Sequence, residues 1–314
     1  MSRKRTPKSK IPTLRPPVFN LSDKNWKEYL DTEGYVVLNN IITKKNCETA
    51  TAMFKQEISE VSPNFDWENK ETWVINNSPM VWCKSSVVFN GFGQSDSNWF
   101  LRLNSRTKDA FAKAYGTDQL ATSFDGFSLF ISDTQKSVSW LHQDQRSSDQ
   151  RYSIQGILNL LPCDELDAGF ICVPKSHINY TQPVTDTDWV MLPKDDPNEK
   201  LAVKLLTPAR SLILFHSKTI HANTGIVKNH PNGLHINRLS AYITFVPKDR
   251  QTPEIIEQRK AAYLTGVATS HYADRFEPKT IPGRIRANYA ARNFNDLKPA
   301  LENGNIPDDR LELI

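Results

Sequence analysis

The chain has 314 residues, of which 24% are charged and 39% hydrophobic, with a formal net charge of +4. That length buries a substantial core and fits one large globular domain. No run approaches the roughly 18 consecutive apolar residues of a membrane span, and MSRKRTPKSKIPTLRPP lacks the apolar core of a secretory signal, so a cytoplasmic location is expected.

The first 17 positions hold six basic residues (Arg3, Lys4, Arg5, Lys8, Lys10 and Arg15) and no acid. The remaining 33 Lys and Arg face 35 acids, so the body is close to neutral and does not read as a nucleic-acid binder. The tail, residues 1–17, is expected to lack fixed structure, and it offers a basic arm for phosphates. Cys47, Cys83, Cys163 and Cys172 form no CxxC pair and read as reduced thiols.

Beyond the tail, LSDKNWKEYLDTEG predicts a helix with Ser22 as its cap, Trp26, Tyr29 and Leu30 on one face, and Gly34 as its end. YVVL follows as a short strand, and TKKNCETATAMFKQEISEV as a second amphipathic helix. Residues 61–120 scatter Trp67, Trp73, Trp82 and Trp99 among Asn and Ser, which predicts loops with a helix near 106–115. From about residue 124 the texture becomes β: FDGFSLFIS, SVSWLHQD, RYSIQGILNLL, AGFICVP, LAVKLL, RSLILFH and RLSAYITFVP, separated by Asp, Gly, Pro and Ser. Strands at this spacing predict a sandwich or barrel. One domain over 18–314 is expected, with its β core at about 124–248 and a helical extension at about 253–314 that starts with PEIIEQRKAAYLTG.

Within WLHQDQ, His142 and Asp144 stand two apart, and on a strand both point to one face. An imidazole and a carboxylate are two members of the two-His, one-carboxylate set that holds non-haem Fe(II) on one face and leaves the other open. The second histidine is sought on a later strand, where RSLILFHSKTIHANTG offers His216 and His221. His221 is preferred, because small and polar neighbours follow it; His216 reads as a strand-edge histidine. Seventeen residues after His221, Arg238 opens an otherwise apolar run. A buried guanidinium needs an anion, which is either a ligand carboxylate or a protein acid.

The HxD pair, a distal His 77 residues beyond Asp144 and an Arg on the next strand resemble the Fe(II)/2-oxoglutarate dioxygenases, in particular the phytanoyl-CoA dioxygenase-like family. YLDTEGYVVLNNIITKKNCE is similar to that family's N-terminal segment. DAGFICVPKSH is similar to its glycine-containing PGSH segment, except that Lys175 stands where glycine is usual. The resemblance runs from about residue 27 to 248. It implies a mainly β protein with flanking helices, built on a double-stranded β-helix, a jelly-roll or cupin-like barrel. It also implies Fe(II) on His142, Asp144 and His221, 2-oxoglutarate as cosubstrate with its distal carboxylate on Arg238, and O2 as oxidant. Asn223 is then expected beside that carboxylate and His177 near the cosubstrate, or as a histidine that closes a turn after Pro174. Gln155 and Asn159 share one strand face, which lines either the pocket or solvent. Halogenating relatives replace the carboxylate ligand with a small residue, so Asp144 favours hydroxylation.

The leading expectation is a hydroxylase acting on an aliphatic carbon of a small-molecule or lipid-like substrate. The same chemistry on a nucleic acid or protein side chain, with the basic tail as an arm, is the second. A non-catalytic barrel serving as a binding module is the third.

Overall fold

The computed structural model describes residues 11–80, 85–131, 140–227 and 230–314. The expected tail up to Lys10, and Trp82 and Cys83, lie outside the described residues. Ile11 to Pro17 do not: β1 (Thr13–Leu14) pairs parallel with β11 (Val203–Leu205), and the Lys204 and Leu206 amides donate to the Pro12 and Leu14 carbonyls. The expectation of an unstructured tail over 1–17 is therefore corrected for 11–17. Leu14 and Ile11 are apolar and pack against clusters of the folded body, which the count of basic residues obscured.

Two large sheets carry the fold. The larger runs β2 (Val18–Phe19), β3 (Tyr35–Leu38), β12 (Leu212–His216), β8 (Ile154–Asn159), β14 (Arg238–Tyr242), β6 (Phe127–Phe130) and β4 (Ser86–Val87). The smaller runs β1, β11, β9 (Gly169–Cys172), β13 (His221–Thr224), β7 (His142–Gln143) and β10 (Val190–Met191). A separate pair joins β5 (Leu120–Thr122) to β15 (Phe245–Pro247). In the two large sheets all pairings are antiparallel except those of the N-terminal strands β1 and β2.

Alternation along the strands explains how the sheets stack. Tyr35, Val37, Ile213 and Phe215 of the larger sheet share one apolar cluster with Phe170, Cys172 and Leu205 of the smaller, so these faces meet. Their sequence neighbours Val36, Leu38, Leu212 and Leu214 point the other way, into a second core with Phe54, Ile58 and Phe111. Those residues come from helices α2 (Lys44–Val61) and α4 (Ser105–Tyr115), which with α1 (Trp26–Glu33) and α3 (Asp96–Arg102) cover the larger sheet. The outer face of the smaller sheet is covered in turn by Leu192, Ala202 and the flanking Ile11. Between β6 and β14 the chain changes sheet repeatedly, so residues far apart in sequence reach one inter-sheet space.

Helix α1 begins at Trp26 after Asn25, not after Ser22. The Asp23 carboxylate accepts the Asn20 amide at 2.7 Å and holds a turn there, which delays the helix. The helix expected near 106–115 is α4, capped by Asn104 accepting the Thr107 amide. Phe65, Trp67 and Trp73 pack together beside the core. Beyond the one-turn α5 (Ser176–Asn179), the C-terminal part is less helical than expected. It holds α6 (Pro253–Leu264), α7 (Gly283–Ala290) and the short α8 (Asp308–Leu311), and Leu313 and Ile314 enter the main core.

Lys175, just before α5, has φ of 62°. This left-handed conformation explains why glycine suits the position. Its ammonium lies 3.2 Å from Glu33, but that pair is half exposed and worth little. Lys175→Gly is expected to raise the unfolding free energy by about 0.5 kcal/mol, the relief of strain exceeding the added chain entropy. A urea midpoint that moves down instead would show that the ion pair outweighs the strain.

Candidate metal centre

The pairing of β7 with β13 sets His221 opposite His142. Leu141, Ile220 and Ala222, their immediate neighbours, face the outer apolar cluster, so the alternation turns both imidazoles inward. Asp144 follows β7 on the same side, its amide held by the Ser217 carbonyl at 3.0 Å. The His142 Nε2 lies 3.4 Å from Asp144 Oδ1, and the His221 Nε2 lies 3.2 Å from Asp144 Oδ2. The structure thus brings together His142, Asp144 and His221, with their ligand atoms all within 4.8 Å of one another.

The hydrogen bonds show what these atoms offer. His142 Nδ1 faces the Trp140 carbonyl at 3.1 Å, and His221 Nδ1 faces the Thr219 carbonyl at 2.8 Å. A carbonyl only accepts, so each ring carries its proton on Nδ1 and presents a bare Nε2 lone pair to the carboxylate. Burial, opposed by Asp144, pushes His142 down to about 4, so it is neutral at neutral pH. Burial pushes the Asp144 carboxyl up, but His142 and His221 beside it hold it well below the usual carboxylate range. Two lone pairs and an anion pointed at one spot need a cation. Ligands at about 2.1 Å from an ion and at right angles stand about 3 Å apart, close to the separations found here. The donor set fits a two-His, one-carboxylate centre.

Arg238 and Asn223 reach the same inter-sheet space. The Arg238 guanidinium is buried and forms no ion pair with a carboxylate among the described residues. Its Nη1 donates to Asn223 Oδ1 at 2.7 Å, its Nε to Ser240 Oγ at 3.2 Å, and Asn223 Nδ2 donates to the Tyr242 hydroxyl at 3.0 Å. The protein-acid reading of Arg238 therefore has no support among these residues. Gln155 and Asn159 face inward, not to solvent. Gln155 Nε2 donates to Asp144 Oδ2 at 3.0 Å, and Asn159 Oδ1 accepts from Ser240 Oγ at 2.9 Å.

His177 and His216 lie elsewhere. His177 Nε2 bonds the Asp31 carbonyl of α1 at 2.9 Å, and its ring packs on His216 at 5.3 Å. His177 thus helps dock α5 on α1, alongside the bond from the Lys175 amide to the Glu33 carbonyl. His216, one residue beyond inward-facing Phe215, points away from the triad by alternation.

Sequence reasoning missed the walls. Trp140 stacks on His142 at 5.3 Å, and the half-exposed Trp189 approaches its ring at 5.6 Å. The Tyr272 hydroxyl donates to the Asp144 carbonyl at 2.5 Å. Arg275 pairs with Asp149 and Asp188, and Arg151 with Asp149 and Asp274, tying three loops beside the site. Only Tyr242 had a readable signal, an even spacing from Arg238 along one strand.

No family model matches the chain. The Ava biosynthesis cluster protein O of Aspergillus versicolor is 25% identical over 275 residues, which cover 80% of this chain and 87% of that protein. Among solved structures, the non-heme alpha ketoglutarate dependent epimerase SnoN from nogalamycin biosynthesis aligns with a TM-score of 0.51 at 14% identity, over 91% of this chain and 95% of that one. A second structure of SnoN, in complex with Fe3+, alpha ketoglutarate and nogalamycin RO, aligns with a TM-score of 0.49 at 14% identity, over 71% and 82% of the two chains. The likeness to the first of these is one of fold.

Gln155→Ala removes the donor that orients the carboxylate, and divalent-metal affinity is expected to fall about 10- to 100-fold in a metal titration. An unchanged affinity would remove Gln155 from the centre. Burial, first among its causes, also pushes His216 down to about 4. For His142 and His216 the unfolded chain takes up the proton first as pH falls. Stability of the metal-free protein is therefore full above pH 6.5 and declines toward pH 4. His216→Gln should flatten part of that decline in thermal unfolding, and an identical slope would clear His216 of any share.

Proposed function

We propose that this chain is an Fe(II)/2-oxoglutarate-dependent dioxygenase that hydroxylates an aliphatic carbon of a small-molecule or lipid-like substrate, using O2 and releasing succinate and CO2. The two facing sheets are read as the halves of a double-stranded β-helix. The observation that carries the proposal is the meeting of a neutral-His, carboxylate triad with a buried guanidinium that has no carboxylate partner among the described residues. Arg102 and Arg259 are also buried without a side-chain carboxylate, but they donate to backbone oxygens. Arg238 is held by side chains alone, in the space the triad faces, which favours a ligand anion over a scaffold role.

His142, Asp144 and His221 would hold the iron, which when bound supplies the activation of O2 that oxidative decarboxylation of the cosubstrate requires. Arg238 would clamp the distal carboxylate of 2-oxoglutarate. Asn223 sets the Arg238 guanidinium from one side and Ser240 from the other, so the clamp is ordered before ligand arrives. Gln155 orients Asp144, and Trp140 and Trp189 shield His142 from water. The presence of Asp144 in the ligand set favours hydroxylation over halogenation.

A small-molecule substrate is favoured over a nucleic acid. The name of the Aspergillus versicolor relative places it in a biosynthesis cluster, and SnoN is named for a role in nogalamycin biosynthesis. Part of the supposed basic arm, from Ile11 onward, is built into the smaller sheet. No helix among the described residues is long and apolar enough to cross a membrane.

The test is succinate formation from 2-oxoglutarate with Fe(II) across pools of apolar small molecules. Asp144→Ala is expected to abolish turnover. Arg238→Ala should raise the 2-oxoglutarate KM at least 10-fold, the loss of a charge-assisted pair of about 1.5–3 kcal/mol. Turnover unaffected by Asp144→Ala, or absent from wild type throughout, would overturn the proposal.

A further inference from the structure

We propose that Asp167, His230 and His235 form a second site, for a divalent cation of the zinc class, separate from the centre around Asp144. The three side chains come from two connections. Asp167 lies between β8 and β9, and both histidines lie between β13 and β14. Their ligand atoms also gather within 4.8 Å of one another, the only such group besides the first among the described residues. His230 Nε2 lies 3.4 Å from Asp167 Oδ1, and the two imidazoles are 4.5 Å apart between centroids.

The surroundings fix the carboxylate and set one imidazole, His235, in the tautomer a metal site requires. His235 Nδ1 faces the Gly233 carbonyl at 2.8 Å, which places its proton there and leaves Nε2 as a lone pair. The Asp167 carboxylate is held at both oxygens, Oδ2 by the Asp164 amide at 2.8 Å and Oδ1 by Asn237 Nδ2 at 2.7 Å. That same Asn237 nitrogen stands 3.3 Å from His235 Nε2, so its N–H groups now occupy lone pairs of two of the three ligands, and an ion would bind by displacing them. Asn237 is itself anchored by the Ala168 amide at 2.5 Å. His230 Nδ1 accepts the Asn232 amide at 3.2 Å, a contact within its own turn that coordination through Nε2 would exchange for a proton on Nδ1.

Two imidazoles and one carboxylate, partly open to solvent, suit a borderline ion with water in its fourth position. Zinc there would tie the β13–β14 connection to the β8–β9 connection. The first of these links Asn223 to Arg238, so the ion would brace the guanidinium from outside without touching it.

The test uses the full-length chain stripped of metal and titrated with Zn2+, the bound ions being counted by native mass spectrometry. Wild type is expected to bind two, and a His142→Ala, Asp144→Ala double variant one. Adding His230→Gln and His235→Gln to that variant should leave none, with circular dichroism confirming a folded chain. A double variant that binds no zinc, or a quadruple variant that still binds one, overturns the proposal. A second measurement needs no substitution: Zn2+ should cut carbethoxylation of His230 and His235 several-fold in peptides mapped by mass, and equal labelling with and without zinc counts against it. Neither readout depends on 2-oxoglutarate turnover, so failure here and failure of the dioxygenase proposal are distinguishable.

Discussion

The pairing of β7 with β13 sets His221 against His142 across two neighbouring strands, and the chemistry of the inter-sheet space depends on that register. A slip of one residue in either strand would turn its imidazole into the apolar layer of Leu141, Ile220 and Ala222 and bring its own aliphatic neighbours inward. The penalty on both sides pins the register. Binding geometry and core packing are therefore enforced by the same alternation, and the ligand set needs no special local device to hold it.

A second layer of constraint is polar. Arg238, Asn223, Tyr242, Ser240 and Asn159 form a continuous chain of hydrogen bonds between the sheets, ending on Thr207 and Ser211. Buried polar groups are tolerated when each finds a partner, and here the neutral members satisfy one another. The guanidinium charge alone is left without a protein counter-ion among the described residues. Arg102 and Arg259 are buried without a side-chain carboxylate too, but their guanidiniums rest on backbone oxygens, whereas Arg238 rests on side chains of the inter-sheet space.

Much of this was legible in the sequence because strand periodicity is simple. HxD and the face shared by Gln155 and Asn159 follow from a repeat of two, and a core of short strands follows from composition. His221 over His216 was a choice by neighbouring residues, and the structure explains it: His216 sits one position beyond Phe215 and so faces the helices. What could not be read is whatever loops decide. His177 resembled a family histidine by local motif, yet its ring goes to the Asp31 carbonyl because α5 leans on α1. Trp189 reaches His142 from a connection with no periodic pattern. The docking of Ile11 to Leu14 was hidden because charge counts say nothing about which backbone finds a free strand edge.

The two indoles flanking His142 carry a practical consequence. Trp140 stacks on the imidazole at 28° and Trp189 tilts against it at 42°, with ring centroids 5.3 and 5.6 Å from it. An open-shell ion held by His142 would drain excited indoles at short range, so these two chromophores, unlike the tryptophans packed near Phe65, would dim on its binding.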